Sequence, residues 1–322
     1  MWRFFKTRKW AIWAYGGSAL VLSGLWFMVQ IDVEINKFFG SFYDTIQLAL
    51  TKPGSVTMGQ YFGQLLLFGK LAAVWIALSL ATSFFTSHFL FRWRTSMVEY
   101  YHSVYGKASK IEGASQRVQE DTVRFARIVE NLGVTLIESL MILIEFFPIL
   151  VALGAGLTVL WFGEWEYGLV SGALLWSIGG TLLLVVAGWL LRLVGIEYDI
   201  QAREAAYRKA LVVAEDGEYR PKTVAELYND VRKVHYTSYL QYLKFNVVRM
   251  AYLQANVLTA YIFLAPAIVG GLMTLGVLQQ IVRAFGKVEG SMQFILKSWP
   301  TIIELASVYK RLVEFERKID GL

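Results

Sequence analysis

Three glutamates, Glu130, Glu138 and Glu145, lie in a run that becomes apolar enough to enter a bilayer. They are eight and then seven residues apart. At ~100° per residue they fall within about 80° of one another around a helix. The run, RVQEDTVRFARIVENLGVTLIESLMILIEFFPIL (Arg117 to Leu150), starts charged and turns apolar from Leu132. A carboxylate inside a membrane helix is costly and usually faces a bundle interior or a wet cavity. Such an acid can be tuned to bind and release protons near neutrality. The spacing thus fits a ladder of proton-relay acids along a solvated path. The competing reading pairs each acid with an Arg or Lys of a neighbouring helix, as a clamp between helices. Glu130, closest to the charged end, suits such a bridge best.

Other acids extend the pattern. Glu197 and Glu204, seven apart, share a helix face. They either continue a proton path toward the cytoplasm or form a charged surface paired with Arg203 and Arg208. Glu289 and Glu304 lie in a partly apolar segment near Lys287 and Lys297. They line a substrate cavity or pair within the helix or across a dimer contact. Tyr101, Tyr105 and Tyr252 are the aromatic candidates for the same cavity. His88, His102 and His235 show no metal-ligand spacing, so no metal site is expected. His88 could titrate near neutrality, though a structural hydrogen bond is the simpler role. Arg92, Arg94 and Arg117 form a basic belt suited to lipid headgroups.

These residues need helices to carry them. Of 322 residues, 56% are apolar and 17% charged, where a soluble domain is nearer a quarter charged. There is no cysteine, which excludes disulfides and thiolate sites. The net charge of +6 is spread as clusters beside apolar runs, a membrane pattern and not a nucleic-acid-binding one. We expect a single all-α domain over residues 1–322 with six spans, at about 10–30, 58–91, 122–160, 169–194, 245–269 and 272–306. Helical extensions at 92–121, 195–244 and 307–322 should project into the cytoplasm, with Gly113 and Gly217 as helix breakers. The basic start MWRFFKTRKW reads as a retained signal-anchor, which puts the amino terminus inside. Asp32, Glu34 and Asp44 then fall in an external loop. Pro53 and Gly54 mark its end, where Ser55 or Thr57 caps the next helix. The loop WFGEWEYG is external as well, and both termini are cytoplasmic.

Five stretches carry a family resemblance: NKFFGSFYDTIQ (Asn36 to Gln47), SHFLFRWRTSMVEYY (Ser87 to Tyr101), IEGASQRVQEDTVRFARIVENLG (Ile111 to Gly133), QAREAAYRKALV (Gln201 to Val212) and SVYKRLVEFE (Ser307 to Glu316). With the six-span plan, the chain resembles the membrane domain of an ABC exporter and, more closely, the SbmA/BacA family of bacterial inner-membrane peptide transporters. Longer members carry an extra amino-terminal hydrophobic segment, which this chain starts without. The resemblance implies a homodimer in the inner membrane that takes up peptides and peptide-like antibiotics, driven by the proton gradient. Basic substrates would suit a cavity made negative by Glu289 and Glu304.

ABC exporters carry an ATPase domain after the sixth span, and this chain stops at Leu322, where that domain would begin. The nearest phosphate-loop pattern, GQLLLFGKL (Gly63 to Leu71), has one residue too many between its glycines and Leu71 in place of Ser/Thr. No LSGGQ-like signature occurs. The expectation is a transporter that is not an enzyme, has no cofactor and needs no ATPase subunit. Its partners would be a second copy, peptide and lipid. The alternatives are the membrane half of an ABC transporter served by a separate ATPase, and a receptor or scaffold that moves nothing.

Overall fold

The computed structural model describes the backbone of residues 2–109, 111, 114–215 and 220–320. Gly113, Gly217 and Leu322 lie outside the described residues, as does the side chain of Lys297. The helices in order are α1 (Arg3–Lys6), α2 (Gly17–Thr51), α3 (Met58–Ser103), α4 (Tyr105–Ala108), α5 (Ala114–Gln116), α6 (Thr122–Ile128), α7 (Val134–Gly154), α8 (Gly168–Leu190), α9 (Leu193–Glu215), α10 (Pro221–Val269), α11 (Leu275–Met292) and α12 (Phe294–Asp320). Wide π-helical turns at Ile12–Gly16, Arg117–Asp121 and Val129–Gly133 join helical pieces into longer rods. Among the described residues the β content is one isolated bridge, Val159 to Gly163.

Five stretches of the described residues are long and apolar enough to cross a membrane: Ile12–Thr51, Met58–Ser103, Ala114–Gly154, Gly168–Leu190 and Lys222–Val269. Four of them run to 40 residues or more, about twice what a bilayer needs. The expected sixth segment is helical but breaks at Gln293 into α11 and α12, and neither is among the five. Charged residues interrupt both pieces, among them Arg283, Lys287, Glu289 and Glu304.

Two expectations about the chain path are corrected. The first span does not give way to an external loop after Gln30. Helix α2 runs on to Thr51, so Asp32 and Asp44 are helical, and Asp32 is buried. The fourth helix does not extend past Val194. It stops at Leu190, and Arg192 adopts a left-handed φ of 53° before α9 begins. The cap at Thr57 is as read: its hydroxyl accepts from Gln60 N, and Gln60 reciprocates to the Thr57 N–H. Such a box satisfies two orphan donors at once.

The described chain forms two compact units, Met1–Leu174 with Phe263–Leu322, and Leu175–Ile262. In the first, α2 runs antiparallel to both α3 and α11. Gly24 sits where any Cβ would strike Thr82 of α3. Against α11, four α2 residues spaced four apart, Asp32, Asn36, Gly40 and Asp44, share one face. Gly40 and Gly276 allow the backbones to touch, since a Cβ on Gly276 would strike the Gly40 carbonyl. Asp44 Oδ1 then accepts from Gly276 N at 2.9 Å, and Gln47 Oε1 from Leu275 N at 2.8 Å. Side chains of α2 therefore join Thr274 in capping α11.

At the other end of this unit, Phe4 is fully buried among Phe5, Trp10, Phe89 and Trp93. The same cluster takes in Phe125, Val308, Leu312 and Phe315, which docks α12. Each such buried side chain contributes about 1.5–3 kcal/mol. In the second unit, α9 lies on the first half of α10 and α8 on its second half. Trp176 Nε1 donates to Asn256 Oδ1 at 2.5 Å, and Gly180 leaves room for the Tyr252 ring.

Candidate functional site

Glu130 stands in the π-helical turn Val129–Gly133, and Glu138 one turn into α7. Eight residues of helix separate them by about 12 Å along the axis. A π turn takes in an extra residue, so Glu130 is rotated relative to its place on a straight α-helix. Both carboxylates line one cleft of about 280 Å³. Its facing wall is a row of hydroxyls on α3, Ser79, Thr82, Ser83 and Thr86, and its floor is Leu25 and Met28 of α2. The space is large enough for several waters at ~30 Å³ apiece, and part of its lining is polar.

Glu130 also lines a second cleft, of about 540 Å³, with Phe84, Ser87, His88, Arg94 and Arg127. It is the residue common to the two. Ser87 Oγ donates to Glu130 Oε1 at 2.5 Å, which fixes the carboxylate at the junction. His88 Nδ1 lies 3.5 Å from Arg92 Nη1, and the ring of His88 meets Phe84 edge-on at 4.5 Å. Arg92 itself stacks over Trp13 at 3.5 Å. Glu138 has no hydrogen-bond or ion-pair partner among the described residues, and the charges whose fields reach it are Lys287 and Asp32.

The remaining candidates are dispersed. Glu145, seven residues beyond Glu138, lines neither cleft. Glu197 is exposed. Glu204 sits 3.2 Å from His235 Nε2, while Arg203 pairs with Asp230 at 3.3 Å, so neither takes the expected partner. Glu289 is buried at 3% exposure and accepts from Gln293, one turn on. Glu304 is exposed. Tyr101 is fully buried in the hydrophobic cluster and donates to Glu316 Oε1 at 2.9 Å, so it lies in the core and not on a cavity wall. Tyr252 is buried against Trp176 with rings 5.6 Å apart, and Tyr105 is partly exposed. Lys287, read as a neighbour of Glu289, turns to Asp32 instead. Among the described residues no group of three or more His, Asp or Glu is placed to hold a metal.

Two ionic clusters were not foreseen. Asp32, 8% exposed, receives Lys287 Nζ at 2.6 Å on Oδ2 and Arg283 Nη2 at 3.6 Å on Oδ1. Asn36 Oδ1 and Arg283 Nε lie buried at the same helix pair without a hydrogen-bond partner. The signal was the spacing of Asp32, Asn36, Gly40 and Asp44, a repeat every fourth residue that marks a helix face and not a loop. The second cluster is Asp121, 2% exposed, held by Arg117 Nη1 at 2.6 Å and by both Nε (3.1 Å) and Nη2 (2.8 Å) of Arg311. The hydrogen bonds that Arg311 donates to Asp121 raise its already high pKa, against the opposing effect of burial. They tie α12 to the base of the acid-bearing rod.

Over residues 7–320 the chain matches the SbmA/BacA-like family. It is 25% identical over 264 residues to an uncharacterized ABC transporter ATP-binding protein of Synechocystis sp. (strain ATCC 27184 / PCC 6803 / Kazusa), covering 78% of this chain and 37% of that protein. It is 22% identical over 323 residues to the inner membrane ABC transporter ATP-binding protein YddA of Escherichia coli (strain K12), covering 92% of this chain and 56% of that protein. The chain thus spans between about a third and a little over half of the length of these relatives.

Proposed function

We propose, from the premise that this chain belongs to the SbmA/BacA-like family, that it imports peptides across the bacterial inner membrane on the proton gradient. Its apolar helices and its relatives make it a multi-pass membrane protein of transporter type. The finer reading rests on one observation: Glu130 and Glu138 line a single cleft between α2, α3 and the α6–α7 rod. A carboxylate in such a place is held where protons and water must reach it. Binding a proton there removes a charge, and so changes which packing of the surrounding helices is favoured. In this reading two copies enclose a shared cavity that opens to one face at a time. The segment α11–α12 makes the sixth crossing, shielded from lipid by α2 and α7, and both termini are cytoplasmic. Glu289, Glu304, Tyr105 and Tyr252 remain candidates for contact with substrate, and Glu145, Glu197 and Glu204 for the outer reaches of the proton path.

The test is uptake of a labelled arginine-rich peptide into vesicles that contain only the purified chain. Accumulation without nucleotide supports the proposal, and a strict need for ATP contradicts it. A second reading has its own observation, that both relatives are named as ATP-binding proteins of ABC transporters. There the chain is a membrane half whose work is done by an ATPase. Uptake that appears only when an ATPase subunit and ATP are supplied would establish it.

A further inference from the structure

The cluster on α2 and α11 is unbalanced. Two cations, Arg283 and Lys287, with side chains 32% and 29% exposed, face one buried anion, Asp32, between α11 and α2. Charge left uncompensated in such a place is costly. A second acid, Glu138, stands on α7, which packs against α11, and the charges whose fields reach it are Lys287 and Asp32. From α3 the cleft presents only the hydroxyls Ser79, Thr82, Ser83 and Thr86. On its own rod Glu138 shares the cleft with Glu130, which is bonded to Ser87. Glu138 is therefore the group whose ionisation would balance the cluster.

The two cations are not held alike. Lys287 makes a short contact with Asp32, while Arg283 stands off at 3.6 Å with its Nε uncommitted and its guanidinium over Phe39 at 4.9 Å. Arg283 can close on Asp32 if Lys287 leaves, and Asn36 Oδ1 offers a spare acceptor one turn away. Asp32 would then not be stranded. A lysine is suited to such an exchange, being a compact charge on a flexible stem.

We propose that Lys287 is a positioning residue shared between Asp32 and Glu138: Asp32 holds it while Glu138 carries a proton, and Glu138 draws it away when that proton is released to the cleft. Lys287 keeps its own protons throughout, so only the carboxyl proton moves. Because Lys287 is rooted in α11 and Asp32 in α2, the exchange shifts α11 against α2. The inference rests on the proton-coupled reading above and adds the element that reads the proton.

The test is an infrared pH titration of the purified protein in lipid nanodiscs, with the Glu138 carboxyl band assigned by difference from Glu138→Gln. Lys287→Met should move the Glu138 midpoint to higher pH by about one unit, a tenfold change in proton affinity. Asp32→Asn should move it to lower pH, since the lysine is freed and a negative field is lost. Opposite shifts support the shared lysine. Midpoints that stay put, or that move in the same direction, overturn it. If Lys287→Met does not fold, Asp32→Asn decides alone: an acid shift supports the proposal, and no shift or an alkaline shift overturns it. Opposite shifts in a protein whose uptake ignores the pH gradient would sink the functional reading and leave the shared lysine standing. Gradient-driven uptake with unmoved midpoints would sink the lysine assignment alone.

Discussion

Glu130 and Glu138 line one cleft although they stand eight residues apart across a π-helical turn. Converting either to glutamine keeps its shape and its hydrogen-bonding reach but fixes it in a neutral state. Glu138→Gln should therefore lower gradient-driven peptide accumulation at least tenfold. Exchange of labelled for unlabelled peptide at equal pH on both sides should survive, because it needs no net proton movement. Paired accumulation and exchange assays check this, and a variant that accumulates peptide normally contradicts it.

Close approach of α2 and α11 gives a sharper structural prediction. Gly276→Ala places a methyl against the Gly40 backbone carbonyl, which cannot move aside as a side chain can. Gly286→Ala, on the same helix, meets nothing within 4 Å. The first should lower the thermal midpoint in detergent and reduce the yield of folded protein. The second should be neutral or raise stability by up to about 1 kcal/mol through helix propensity. Equal midpoints for the two variants would show that the helices do not meet at Gly276.

Much of the fold was legible because apolar runs of span length and the Thr57 cap are local signals. The acids Glu130 and Glu138 were legible for the same reason, since ionisable residues stand out in an apolar run. Asp32 was not. In a topology argument it read as loop charge, and only its partners 251 and 255 residues away, Arg283 and Lys287, show it to be buried. Tyr101 misled in the opposite way. It was read as an aromatic candidate for the cavity, but its hydroxyl is satisfied by Glu316 from α12, a contact 215 residues distant. The break at Leu191–Arg192 was hidden because Arg192 reads as an ordinary boundary cation and carries no mark of a left-handed backbone. Long-range pairing is what the sequence pattern does not carry.

The Asp121–Arg311 clasp should be structural. Asp121 is 2% exposed and accepts from two arginines, so Asp121→Ala leaves Arg117 and Arg311 crowded without their anion. Breaking a buried pair costs roughly 3 kcal/mol at the low end, the fitting value because the Arg311 side chain is 32% exposed. Arg311→Lys should recover part of this, since a lysine cannot grip both carboxylate oxygens as the guanidinium does. Thermal midpoints, with hydrogen-exchange protection of α12 as the local readout, should rank wild type above Arg311→Lys above Asp121→Ala. Unchanged protection of α12 in Asp121→Ala would contradict the clasp.

The most direct trial of the account is labelled-peptide uptake by wild-type protein in vesicles, with the outside acidified or matched to the inside and no nucleotide present. Proton-coupled import predicts accumulation above the external concentration only when the outside is acid, abolished by a protonophore. Uptake of equal rate and extent with and without the gradient would contradict it.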